Sequence, residues 1–107
     1  MEANPQIFKD YLGREVRLTE ERLRHILERP EMIEMETALQ DTLRHPEFVI
    51  QSRVEENAAL YYRFYTKTKV GDKWLCMVVK YETEGAFILT AYLTDKPKKG
   101  EQIWPKK

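Results

Sequence analysis

Only one cysteine, Cys76, occurs in the 107 residues. No internal disulfide is possible, which excludes a disulfide-stapled scaffold. Glycine and proline are scarce, at 4 and 5, so collagen-like and low-complexity chains are excluded as well. Long apolar runs are missing. The longest charge-free hydrophobic stretch, Ala86 to Thr94, falls far short of the ~18–20 residues that a spanning helix needs. Met1 to Gln6 show no basic region followed by an apolar one, so no secretory signal is expected. A cytoplasmic location without membrane contact is the expectation. Histidine is limited to His25 and His45, and with one cysteine they give no zinc spacing. No glycine-rich phosphate loop and no nucleophile elbow is present. No metal and no cofactor is expected.

Net charge is also absent: 18 Lys/Arg balance 18 Asp/Glu, which argues against a strong electrostatic nucleic-acid binder. The zero hides a polarity. Residues 1–47 hold 7 basic and 11 acidic side chains, and residues 48–107 hold 11 basic and 7 acidic. Such a split can present one basic face on a neutral protein.

The hydrophobic period divides the chain at the same place. Val16 and Leu18 alternate with charged residues in a short strand or extended lead-in. Thr19 followed by Glu20 and Glu21 predicts a helix start, and Leu23, Ile26 and Leu27 form its apolar stripe. Pro30 ends that helix. Met32, Met35, Ala38, Leu39, Thr42 and Leu43 recur at helical spacing and predict a second helix stopping near Arg44, before His45-Pro46. From Phe48 the period becomes two. Strands are predicted over 48–53, 60–66, 74–82 and 87–93, with connections short enough for antiparallel hairpins. The expected architecture is α+β: two N-terminal helices packed on one face of a four-stranded antiparallel meander. Residues 1–13 read as an N-terminal segment, 14–104 as one domain, and 105–107 as a tail. Residues 1–6 read as a loose end.

Alternation sorts the strands into two faces. One set is apolar throughout and suits a floor for the helices. The other collects Gln51, Arg53, Tyr61, Arg63, Tyr65, Lys80, Thr90 and Tyr92. Cations neutralise phosphate and aromatic rings stack on bases, so that face suits RNA. The plain alternative is a wet sheet face, which requires the same alternation. A single bulge would flip part of the sorting. His25 lies nearly opposite the stripe of the first helix, where it is either solvated or an acid–base group. His45 reads as a helix-end cation. Cys76 reads as packing material, and Lys96, Lys98 and Lys99 either touch phosphate or, as a short charge run, are solvated, the plainer reading.

Several short motifs occur in order: Val16-Arg17-Leu18-Thr19, Glu21-Arg22, His25-Ile26, Ser52-Arg53, Leu60-Tyr61-Tyr62-Arg63, Val78-Val79-Lys80 and Thr90-Ala91-Tyr92-Leu93-Thr94-Asp95. In order and spacing the chain resembles small phage- and bacterium-associated nuclease-fold proteins of the barnase–EndoU–colicin–RelE superfamily, over roughly residues 14–104. The resemblance implies metal-independent RNA cleavage, in which the 2′-hydroxyl attacks the adjacent phosphate and leaves a 2′,3′-cyclic phosphate and a 5′-hydroxyl. It implies catalytic roles for His25, Arg53, Tyr61, Lys80, Thr90 and Tyr92. Arg63 is expected as a phosphate contact, and Gln51 beside it as a substrate contact. The expected partner is RNA, free or ribosome-associated, or a protein. The alternatives are a catalytically silent RNA- or protein-binding module of the same fold, and a plain interaction domain that uses its acidic helices.

Overall fold

The computed structural model describes residues 5–106. Residues 1–4 of the expected loose end and Lys107 of the tail lie outside the described residues. The chain runs β1 (Gln6–Lys9), β2 (Glu15–Leu18), α1 (Glu20–Leu27), a 3-10 segment (Pro30–Met35), α2 (Glu36–Arg44), β3 (Phe48–Gln51), β4 (Ala58–Thr68), β5 (Gly71–Glu82), β6 (Gly85–Thr94) and β7 (Gln102–Trp104). The strands form one sheet in the order β1-β2-β6-β5-β4-β3-β7.

The class is α+β, but the four-stranded meander with two N-terminal helices is overturned. The sheet has seven strands and is mixed, because β2 joins β6 in parallel through Val16–Ala86 and Arg17–Phe87. The helices follow a hairpin instead of leading the chain. Its turn is closed by Asp10, whose Oδ1 accepts the backbone N–H groups of Leu12 and Arg14, both at 2.9 Å. Gly13 supplies the positive φ of 78° that this tight turn needs. The added strands have only three or four residues each. At that length each face shows one or two side chains, so alternation such as that of Val16 and Leu18 does not separate a strand from an extended lead-in.

The helices form for the reasons their sequences suggest. The Thr19 hydroxyl accepts the Arg22 N–H at 3.1 Å and caps α1. Pro30 opens the 3-10 segment, which leads directly into α2. Ile26, Met32, Met35, Leu39 and Leu43 then join Val49, Tyr61, Leu75, Met77, Val79, Ile88 and Ala91 in the main core, between helices and sheet.

The opposite face is covered too. After β6 the chain must reach β7, which pairs with β3 on the far side of β4 and β5. Residues 95–101 therefore cross the second face as a strap. The Lys98 N–H donates to the Tyr62 hydroxyl, and the Gln51 N–H to the Glu101 carbonyl. Gly100 passes so close that a Cβ there would lie 2.5 Å from the Gln51 carbonyl oxygen. Beneath lies a smaller core of Ile50, Ala58, Leu60, Tyr62, Cys76 and Val78.

Candidate functional site

Cross-strand registers fix which side chains share the strap face. Phe48, Tyr62, Cys76 and Tyr92 make one row, and Ile50, Leu60, Val78 and Thr90 the next. Lys80 follows, between Ala58 and Phe87. The pairing slips between Val78–Thr90 and Val79–Ile88. Leu89 is the extra residue, a bulge that keeps Thr90 and Tyr92 on the strap face.

A cleft of about 470 Å³ lies on this face, under the 52–55 loop and the strap. Leu60, Val78 and Leu89 supply its apolar lining, and Arg53, Glu55, Lys98 and Lys99 its charges. Among the described residues, Arg53, Lys98 and Lys99 have no carboxylate partner. Glu55 is paired with Lys80 at 3.3 Å. Ser52 Oγ accepts the N–H groups of Val54 and Glu55 at 3.2 and 3.0 Å, which shapes the loop that presents Arg53 and Glu55.

Thr90 and Tyr92 also line the cleft, and they hold its unusual feature. Among the described residues, Thr90 Oγ1 and Tyr92 Oη are the buried side-chain oxygens without a hydrogen-bond partner. Beside Tyr92 lies the Cys76 thiol, only a weak donor and acceptor. Burial of such groups unpaired costs roughly 1–3 kcal/mol each. Burial, then the neighbouring Cys76, pushes the Tyr92 phenol well above the ordinary tyrosine range, against the charge of Arg29. It is a proton-bearing donor at neutral pH, not a base. Lys98 Nζ stands 5.9 Å from the centre of the Tyr92 ring.

The expected set thus divides. Arg53, Thr90 and Tyr92 come together in the cleft, with Lys80 at its edge through Glu55. Tyr61 does not join them. It pairs in register with Val49 and Met77 on the helix face. Its hydroxyl donates to Asp10 Oδ2 at 2.9 Å and contacts the Tyr81 hydroxyl, and Arg14 bridges Asp10, Tyr61 and Tyr81. Burial raises the Tyr61 pKa strongly. This buried network ties the β1–β2 turn to β4 and β5. Gln51 lies on the same side, its Nε2 donating to the carbonyls of Glu56 and Ala58 at 3.1 and 3.0 Å. Arg63 donates to the His45 carbonyl at 2.7 Å, beyond the end of α2.

His25 is exposed on α1, 3.5 Å from Glu28. Arg22 precedes it on α1, and Arg29 follows the helix in extended conformation. Those arginines donate to the Leu89 and Ala91 carbonyls at 3.4 and 3.2 Å. Those carbonyls lie on the part of β6 that β2 does not pair. Neither histidine lines the cleft.

Sequence reasoning missed Glu55 and set Lys98 and Lys99 aside as solvated. The usable signal was Gly100 after Lys98-Lys99, since a lone glycine in a lysine-rich segment marks a close backbone approach.

Among the described residues no three His, Cys, Asp or Glu side chains converge to hold a metal ion, and no helix is long and apolar enough to cross a membrane. A model of the family described as phage-Barnase-EndoU-ColicinE5/D-RelE like nuclease2 matches residues 1–104. No curated protein and no solved structure matches the chain.

Proposed function

Since the chain belongs to the phage Barnase–EndoU–ColicinE5/D–RelE-like nuclease family, we propose that it is a metal-independent endoribonuclease acting in the strap-face cleft. The observation that carries this reading is the meeting of three unpaired cations with two unpartnered buried hydroxyls on one cleft. A phosphodiester answers both, because its charge suits Arg53, Lys98 and Lys99 and its oxygens accept from Thr90 and Tyr92. Glu55, oriented by Lys80, takes the proton of the 2′-hydroxyl. The 2′ oxygen attacks phosphorus, and the bond to the 5′ oxygen breaks. Tyr92, which lines the cleft and carries its proton at neutral pH, gives a proton to the leaving 5′ oxygen. Tyr61, Gln51 and Arg63 hold the frame.

The test is incubation of single-stranded RNA with excess chelator and analysis of the product ends. Cyclic-phosphate ends are expected. Arg53→Ala should cost about 10²–10³ in rate, and Glu55→Gln about 10²–10⁴. Activity lost to the chelator, or unchanged in both variants, overturns the reading.

The position of the two histidines outside the cleft lining favours a second reading, a silent module that binds RNA on the same face. Saturable RNA binding that depends on Arg53 without cleavage would select it.

A further inference from the structure

Beyond the strap the same sheet face continues as an aromatic surface. Phe64 pairs with Trp74, and Trp74 with Thr94, one row past Tyr62. The Phe64 and Trp74 rings meet edge to face at 5.2 Å, and Phe48 meets Trp74 at 5.4 Å and stacks on Tyr62 at 5.2 Å. Tyr62 is fully buried, whereas Phe64 is 41% exposed. A lone exposed phenylalanine is ordinary. Here it is the outer member of four contiguous aromatics, held rigid by two long paired strands.

The charge beside this surface is positive. The strap carries Lys96, Lys98 and Lys99, none paired with an acid among the described residues. Of the acids beside the platform, Asp95 pairs with Lys73, and Glu47 Oε2 is fixed by the Phe64 N–H at 2.6 Å and keeps its charge. An exposed aromatic ring braced by its neighbours beside free cations suits a nucleotide, whose base stacks on the ring while its phosphate is neutralised.

We infer that Phe64 and Trp74 form a stacking subsite for an unpaired nucleobase of an RNA strand crossing the strap. Its geometry relative to the cleft is set by the sheet. Val78, which pairs with Thr90, and Trp74 are four residues apart on β5, about 14 Å at ~3.4 Å per residue. Stacked nucleotides advance ~3.4 Å each, so about four of them, or fewer in an extended strand, span the two places. The substrate is single-stranded, engaged at the cleft by phosphate and at the platform by a base a short distance along the chain. The inference rests on the cleft being the RNA site.

The experiment uses the full chain and a short single-stranded 2′-O-methyl RNA, which lacks the attacking hydroxyl and stays intact. Affinity is measured for wild type, Phe64→Ala and Arg53→Ala, with the normal oligonucleotide and a series carrying one abasic position each. One abasic position should weaken wild-type binding five- to hundred-fold. Phe64→Ala should weaken the normal strand similarly and be indifferent to that abasic position. Trp74 fluorescence should be quenched by the normal strand in a Trp104→Phe background. If Phe64→Ala binds every oligonucleotide as wild type does while Arg53→Ala is impaired, the platform is overturned and the cleft stands. If the abasic effect appears and cleavable RNA is never cut, the platform stands and the nuclease reading fails. If well-folded wild type binds none of the oligonucleotides, the inference is overturned.

Discussion

The backbone N–H of Lys98 donates to the buried Tyr62 hydroxyl at 2.9 Å. That bond fastens the strap to the centre of β4 and sets where Lys98 and Lys99 stand over the cleft. Tyr62→Phe removes it without changing the ring packing. A stability loss of about 0.5–1.5 kcal/mol is expected, read by urea unfolding, with faster amide exchange at Lys98. Gly100→Ala drives a methyl against the Gln51 carbonyl and should cost about 1–3 kcal/mol. Unchanged exchange at Lys98 in both variants would show that the strap is held elsewhere.

Tyr61 is expected to matter for folding and not for chemistry. Its hydroxyl serves Asp10, Arg14 and Tyr81 on the helix face. Tyr61→Phe should cost about 1–3 kcal/mol by leaving buried partners short of a hydrogen bond. Activity per folded molecule should match wild type below the melting transition. A large rate loss at full stability would return Tyr61 to the reaction.

The helices, the strands β3 to β6 and the α+β class were legible from period and capping. Leu39 and Leu43 were readable as core because a helix shows its buried stripe over several turns. The phase between neighbouring strands was not readable. Ala58–Tyr62 and Leu75–Val79 are buried on both faces, since helices cover one face and the strap the other. Alternation then no longer marks the solvent side, and Tyr61 was sorted with Lys80 though register places them on opposite faces. The Leu89 bulge is silent in the sequence as well. Arg53, Thr90 and Tyr92 were reachable through their motifs, whereas Glu55 and Lys98 acquire meaning only when the 52–55 loop and the strap come together.

Alkaline pH should unfold the protein. Burial raises the phenol pKa values of Tyr61, Tyr62 and Tyr92 above the ordinary value near ~10. A folded pKa above the unfolded one means that the unfolded chain releases the proton first. The stability these groups contribute is complete below about pH 10 and is lost as pH rises beyond it. Urea midpoints taken from neutral to strongly alkaline pH should fall from about pH 10 upward, together with the rise in tyrosinate absorbance. Tyrosinate forming near pH ~10 in all six tyrosines of a still-folded protein would contradict these shifts.

Lys80 and Glu55 offer a way to separate stability from rate. Their side chains are 31% and 44% exposed, and an ion pair so close to water is worth about 0–1 kcal/mol. Lys80→Ala and Glu55→Gln should therefore leave urea stability almost unchanged. Rate should respond differently. If Glu55 is the base, Glu55→Gln removes the proton acceptor and costs about 10²–10⁴. Lys80 acts on the same carboxylate by orienting it, so Lys80→Ala should lower the rate of wild type and do little in the Glu55→Gln background. Coupling of that kind is what a double-mutant cycle detects between groups that touch. Additive losses would instead place Lys80 directly on the phosphate, independent of Glu55. An unimpaired Glu55→Gln would remove the carboxylate from the chemistry and leave His25 as the group to test for proton abstraction, by the pH dependence of His25→Ala.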